Sequence, residues 1–206
     1  MHIEILSEQQ RELLPYIAQF KRAFYLVGGT ALAYQIGHRQ SIDFDLFTHK
    51  TVLTKTPIRQ KLTQIPFSKQ LLFEDTDQMH LKINDIKTTF FAYPYLVPHL
   101  EKLENIITMP SILELAAMKA FALGRRAKWK DYVDLYFVLK NFYSVQEISM
   151  KAYHLYSESL FSERQFRQQL AFHKDINYSE AVEYMPGYFV DEQEIKNFLI
   201  EQALSI

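Results

Sequence analysis

The chain has 206 residues, 48% hydrophobic and 23% charged, enough apolar material to bury a full core in one large domain or one domain plus a small appendage. It has no cysteine, which excludes disulfides, thiolate metal sites and cysteine nucleophiles and fits a reducing compartment. A formal net charge of −1 excludes a uniformly basic nucleic-acid-binding surface, and no apolar run approaches the roughly 18 residues of a membrane span.

The opening MHIEILSEQQ lacks the basic-then-apolar pattern of a leader, so a soluble, cytoplasmic chain with no membrane partner is expected. Ser7 to Gln10 has the form of a capping box, and Leu13, Leu14, Ile17 and Phe20 follow at helical spacing, which predicts an amphipathic helix to about Lys21. Phe24 to Val27 reads as a buried strand stopped by Gly28-Gly29, and Thr30 to Ile36 as a short helix capped by Gly37. From Ser41 the pattern alternates, with Ile42, Phe44 and Leu46 on one side and Asp43 and Asp45 on the other, as in a half-buried strand. Thr56-Pro57 predicts a helix to Ile65 with proline at its first position. Strands are predicted over 67–73, 80–83 and 86–91, the last two joined by a tight turn at Asn84-Asp85.

After the proline-containing stretch 94–110, Ser111 and Glu114 predict a capped helix ending at Gly124, and a further helix carries Lys130 to Asn141. Lys119 to Lys130 holds five basic residues and no acid, whereas 151–206 holds five basic residues against nine acids, so a polyanion would meet the first region. The tail repeats the capping pattern at Ser144 with Glu147 and Ser162 with Gln165, and ends in a helix over about Asp191 to Ala203. The expected organisation is a mixed α/β domain over 1–140 and a helical subdomain over 141–206.

Asp43 and Asp45, one residue apart on a strand, are hard oxygen donors suited to Mg²⁺ shared with substrate phosphates, although the same alternation also describes a solvated face. Gly28-Gly29-Thr30 at a strand-to-helix turn suits phosphate approach, or simply a tight turn. Five glycines, at 28, 29, 37, 124 and 187, permit neither a P-loop nor a dinucleotide fingerprint. The seven histidines show no zinc-ligand spacing. Lys128, Asp131 and Asp134 fall three apart along one helical face, with Lys130 four before Asp134, which also describes ordinary surface ion pairs.

The stretch Val27-Gly28-Gly29-Thr30, Gly37-His38-Arg39 and Ser41-Ile42-Asp43-Phe44-Asp45-Leu46-Phe47 resembles the first motifs of the DNA polymerase β-like nucleotidyltransferases, in particular the AbiEii/AbiGii-type toxins. Lys128-Trp129-Lys130-Asp131-Tyr132-Val133-Asp134-Leu135 is similar to that family's K-x-[RK]-D-x-x-D-L motif, and Phe90 to Tyr95 and Leu115 to Lys119 also look like family segments. The resemblance covers about residues 24–140. It implies an α+β fold, a nucleotidyltransferase-type mixed sheet with flanking helices followed by a C-terminal helical subdomain. It implies transfer of a nucleotide from an NTP to an acceptor hydroxyl, with Mg²⁺ or Mn²⁺ on Asp43 and Asp45, in the toxin of a toxin–antitoxin or phage-defence pair. Gly28, Gly29, Thr30, His38 and Arg39 would bind the nucleotide, Lys128 and Lys130 the triphosphate, and Asp131 or Asp134 would orient it or take a proton. The acceptor in some relatives is the tRNA 3′ end, which the basic segment 119–130 would meet, and an antitoxin protein would be the partner. One departure stands out: the third carboxylate of such enzymes falls, by register, on Thr89. Either Asp131, Asp134 or Asp85 replaces it, or the chain is an NTP-binding module with weak or lost catalysis.

Overall fold

Helix α1 (Glu8–Ile17) begins where the sequence supplies both halves of a capping box. In the computed structural model, which describes residues 1–205, Ser7 Oγ accepts from the Gln10 N–H and the Gln10 side chain accepts from the Ser7 N–H. A 3₁₀ turn over Ala18–Phe20 leads to β1 (Tyr25–Val27), and α2 (Gly28–Ile36) follows without a loop. Gly37 ends α2 at φ +82°, the left-handed conformation of a helix cap. Strand β2 is confined to Phe44–Thr48, so the alternation expected from Ser41 holds only from Phe44 onward. Ile42 is 62% exposed, and Asp43 lies just before the strand because its carbonyl is taken by the Thr30 hydroxyl on α2.

Helix α3 (Lys55–Leu62) starts after Thr54, whose side chain makes no cap bond, so Pro57 is its third residue instead of its first. Any position in the first turn tolerates proline, because those N–H groups have no intrahelical partner. β3 (Lys69–Glu74), β4 (Gln78–Ile83) and β5 (Ile86–Ala92) follow, and Asn84 and Asp85 both take positive φ, +49° and +64°, in the two-residue turn between β4 and β5. The stretch 94–110 contains a small hairpin, β6 (Glu101–Leu103) and β7 (Ile107–Met109), which the prolines had hidden.

The sheet order is β1-β2-β5-β4-β3, with β2 parallel to β5 and every other pair antiparallel. Its register sorts the side chains into two faces. Leu26, Leu46, Phe90 and Met79 form one row, all buried, and the Phe90 ring lies 4.8 Å from Phe20 and 5.3 Å from Phe24. Each such side chain taken from water contributes about 1.5–3 kcal/mol. The next row, Val27, Asp45, Thr89, His80 and Phe73, projects from the opposite face. A slip of one residue would exchange the two rows, so burial of the first fixes the position of the second.

By packing, the chain divides into two compact units, one of residues 1–36 and 41–111, the other of 37–40 and 112 onward. The division therefore falls near 111, not near 140. The second unit contains α4 (Ile112–Leu123), α5 (Trp129–Asn141), α6 (Val145–Tyr156), α7 (Glu163–Ala171) and α8 (Glu192–Leu204). Helix α4 packs along α6, with Phe121 stacked 3.8 Å from Tyr156, which draws 112–141 into the helical unit. Ser144 and Glu147 form a reciprocal box, and Ser162 and Asp191 cap α7 and α8.

Candidate active site

In the first unit, Val27 pairs with Asp45, so the residue after Val27 is carried over the Asp45 carboxylate. That residue is Gly28 at φ +74°, and a Cβ there would lie 2.3 Å from Asp45 Oδ2. Glycine is required twice over, by the backbone conformation and by the space. Thr30, fully buried, gives its hydroxyl hydrogen to the Asp43 carbonyl and lies 3.0 Å from the Ser41 hydroxyl. It fastens the segment before β2 and so sets where Asp43 leaves the backbone. Gly28, Gly29 and Thr30 form the first turn of α2, whose unpaired N–H groups and dipole favour an anion. The structure thus brings Gly28, Gly29, Thr30, Asp43 and Asp45 together.

The Asp45 carboxylate against Gly28 is a donor of the kind a divalent cation such as Mg²⁺ takes, since that ion binds one or two protein carboxylates and shares its other positions with phosphate and water. Among the described residues no group of three or more His, Asp or Glu is poised around a metal. Beside Asp45 on β5 stands Thr89, the position at which the family resemblance implies a third carboxylate. Beyond Thr89 stands His80 on β4, its Nδ1 3.3 Å from Thr89 Oγ1 and its Nε2 2.8 Å from Gln78 Oε1. Burial first, and then Lys87, lower the His80 pKa, while Asp45 works in the opposite direction.

In the second unit, His38, Arg39, Lys119, Asp131 and Asp134 form one buried cluster. Arg39 grips Asp134 with both arms of its fork, Nε to Oδ1 at 2.7 Å and Nη2 to Oδ2 at 2.9 Å. His38 Nε2 donates to Asp134 Oδ1 at 2.6 Å, and Lys119 Nζ lies 2.6 Å from Asp134 Oδ2 and 2.6 Å from Asp131 Oδ1. Burial alone would raise both carboxyls, but Arg39 and Lys119 hold Asp134 well below its ordinary value, and Lys119 and Arg126 lower Asp131. Burial lowers His38 against the pull of Asp134, so its imidazole is neutral. Two cations and two carboxylates balance.

The basic segment is engaged inside this unit. Besides Lys119, Arg126 Nε lies 3.3 Å from Asp131 Oδ2, and Arg125 lies over the Phe121 ring at 3.6 Å while donating to the Phe121 carbonyl. Lys128 and Lys130 both clasp Glu180, whose pKa falls to about 2 because the two lysines outweigh its burial. His80 and Glu180 carried no signal in residue-type motifs; His80 was legible only through strand register.

A five-stranded mixed sheet flanked by helices is a fold this chain shares with solved nucleotidyltransferase structures. The chain belongs to the AbiEii nucleotidyltransferase toxin family: the family model described as "Nucleotidyl transferase AbiEii toxin, Type IV TA system" matches residues 13–106. An uncharacterized protein of Aquifex aeolicus is 35% identical over 143 residues, covering 66% of this chain and 68% of its own length. Among solved structures, MenT4, the nucleotidyltransferase toxin Rv2826c of Mycobacterium tuberculosis, superposes with a TM-score of 0.65 at 13% identity, covering 95% of this chain and 80% of its own. JHP933 of Helicobacter pylori gives 0.57 at 17%, covering 96% and 91%. At these identities the two structures show the fold alone. The matched family span contains Gly28 to Asp45 and Thr89, and stops before Lys128. No helix among the described residues is long and apolar enough to cross a membrane.

Proposed function

We propose that this chain transfers a nucleotide from an NTP to an acceptor hydroxyl, releasing pyrophosphate, with a divalent cation on Asp43 and Asp45. The observation that carries this reading is the contact of Gly28 with Asp45, which sets a carboxylate beside the first turn of a helix. The cation, when bound, would neutralise phosphate charge. Gly28 and Gly29 offer backbone N–H groups to the phosphates, and Thr30 acts through Asp43 by fixing its backbone. Asp131, Asp134, His38 and Arg39, buried and bonded to one another, hold the helical unit together and leave the phosphates and the proton to other groups. Of the basic segment, Arg125 and Arg126 keep exposed faces for an RNA acceptor such as a tRNA end. Family membership supports the toxin role and an antitoxin protein as partner.

The test is incubation with each labelled NTP, Mg²⁺ and total tRNA. Transfer by the natural chain and none by Asp43→Ala/Asp45→Ala is expected; equal transfer by both would refute the assignment. A second reading, an NTP-binding module without turnover, is favoured by Thr89 alone. It requires Mg²⁺-dependent NTP binding in calorimetry with no product from any acceptor.

A further inference from the structure

Just past the end of helix α4 an arginine is held flat. The Tyr156 ring stacks on Phe121 at 3.8 Å and 7°, and the Arg125 guanidinium lies 3.6 Å from the centroid of the same ring. Two groups so close cannot share one face, so Phe121 is sandwiched between them. Arg125 Nη1 also donates to the Phe121 carbonyl at 3.0 Å, an ordinary way to satisfy a helix end. Together the ring and the carbonyl fix the plane of the guanidinium as well as its position. Arg125 is exposed and walls a cavity of about 210 Å³, floored by the buried Phe161 and Phe166 rings, with Leu160, 47% exposed, and Gln165 at its rim. That is less than the roughly 300–1,000 Å³ of a site for a drug-sized ligand, so it suits one planar ring and not a whole nucleotide. Gly124 leaves the entrance open, since a Cβ there would meet only the Phe121 carbonyl, at 3.8 Å. The surroundings are mainly cationic. Arg126 and Arg164 are exposed, Glu163 beside Arg164 is paired with Arg167 at 2.8 Å, and Glu158 in the turn before Leu160 opposes them.

We propose that this cavity seats one unpaired base of an RNA acceptor, stacked on the open face of the Arg125 guanidinium. The proposal rests on the nucleotidyl-transfer reading above and gives its acceptor a point of attachment. Unpaired RNA bases are held by stacking on aromatic rings or arginine planes and by hydrogen bonds to their exposed edges. Here the base extends a stack of Tyr156, Phe121 and Arg125 that folding has already ordered, so little side-chain entropy remains to be lost on binding. Gln165 brings an amide oxygen and an amide NH₂, which match the mixed acceptor and donor edge of a base. Its main-chain N–H is already taken by the Ser162 hydroxyl, at 3.3 Å. An apolar side chain from a partner protein would gain from the Phe161 floor but would cover the Arg125 charge without compensation. A base offers that cation its π face and leaves phosphates outside for Arg126 and Arg164.

The test is equilibrium binding of a labelled mixed-sequence single-stranded RNA of about 10 nucleotides, against an abasic strand of the same length and charge. The natural chain should bind the strand with bases about 5–100-fold more tightly, the worth of one stacked base. Arg125→Lys keeps the charge and removes the plane. It should erase that difference while the abasic strand binds as before, with the same salt dependence. Gln165→Ala, at an exposed position on which folding does not depend, should flatten the preference among oligo(A), oligo(C) and oligo(U). In transfer assays Arg125→Lys should raise the KM for the RNA acceptor far more than it lowers kcat, with NTP affinity by calorimetry unchanged. Equal binding of both strands by the natural chain, or a base-dependent affinity that survives Arg125→Lys, would overturn the site and leave nucleotide transfer standing. A fall in NTP affinity in Arg125→Lys would mean that the cavity takes the base of the NTP, which overturns it as an acceptor site. Binding needs no turnover, so base-dependent binding without any product from the natural chain would keep the base site and refute the transfer reading alone.

Discussion

Asp134→Asn removes one charge from the buried cluster while keeping the shape of the side chain, and its cost follows from the contacts it alters. In the natural chain Arg39 and Lys119 are balanced by Asp131 and Asp134, with His38 neutral. After substitution a net positive charge remains in a fully buried site, and Arg39 loses both of its charge-assisted bonds to carboxylate oxygen. Breaking such a pair from one side costs about 3–5 kcal/mol, a large part of a stability of about 5–15 kcal/mol. With a urea slope near 2 kcal/mol/M the unfolding midpoint should fall by about 2 M at pH 7.5. Adding Arg39→Met should recover part of the loss, since it removes the uncompensated charge, and the cycle isolates the pair. The pH dependence has a definite sign. Asp134 titrates well below its unfolded value of about 3.9, so its contribution is complete above that pH and is lost as the pH falls through the folded pKa. The two proteins should therefore converge in strong acid. A midpoint shift below about 0.5 M, or a gap between them that does not narrow in acid, would refute the assignment of Asp134 as a structural ion.

Gly28→Ala should destabilise by about 1–2 kcal/mol through its left-handed φ alone, and its methyl group must displace Asp45. Calorimetry should show NTP·Mg²⁺ affinity reduced at least tenfold, and an unchanged affinity would remove the glycine from the site. Asp85→Gly, at φ +64° in the β4-β5 turn, should be neutral or stabilising by up to about 1 kcal/mol in thermal unfolding, because glycine is the favoured residue there. A loss of stability would mean that the exposed Lys82–Asp85 ion pair matters more than the turn.

How far the sequence reveals this molecule depends on whether a feature is local. Caps are local: Ser7 with Gln10 and Ser144 with Glu147 each need four residues of sequence and form as written. The β6-β7 hairpin is equally local yet was missed, because its strands are three residues long and prolines flank them. The boundary between units depends on α4 lying along α6, a contact between residues about thirty apart that no hydrophobic period specifies.

The same distinction decides what could be known of the site. Gly28 and Asp45 were legible as residue types, and the structure adds that they touch. Asp131 and Asp134 were legible as a pattern of charges at helical spacing, but their burial was not, because their partners His38 and Arg39 lie almost a hundred residues away. His80 is the instructive case. Examined for metal-ligand spacing it offers nothing. Yet a two-residue turn at Asn84-Asp85 pairs Ile83 with Ile86, and each step outward adds one residue on both sides until His80 meets Thr89. The parallel register then sets Thr89 beside Asp45. A turn read correctly from sequence thus carries its consequence three residues further, to the pairing that sets the His80 ring against the Thr89 hydroxyl.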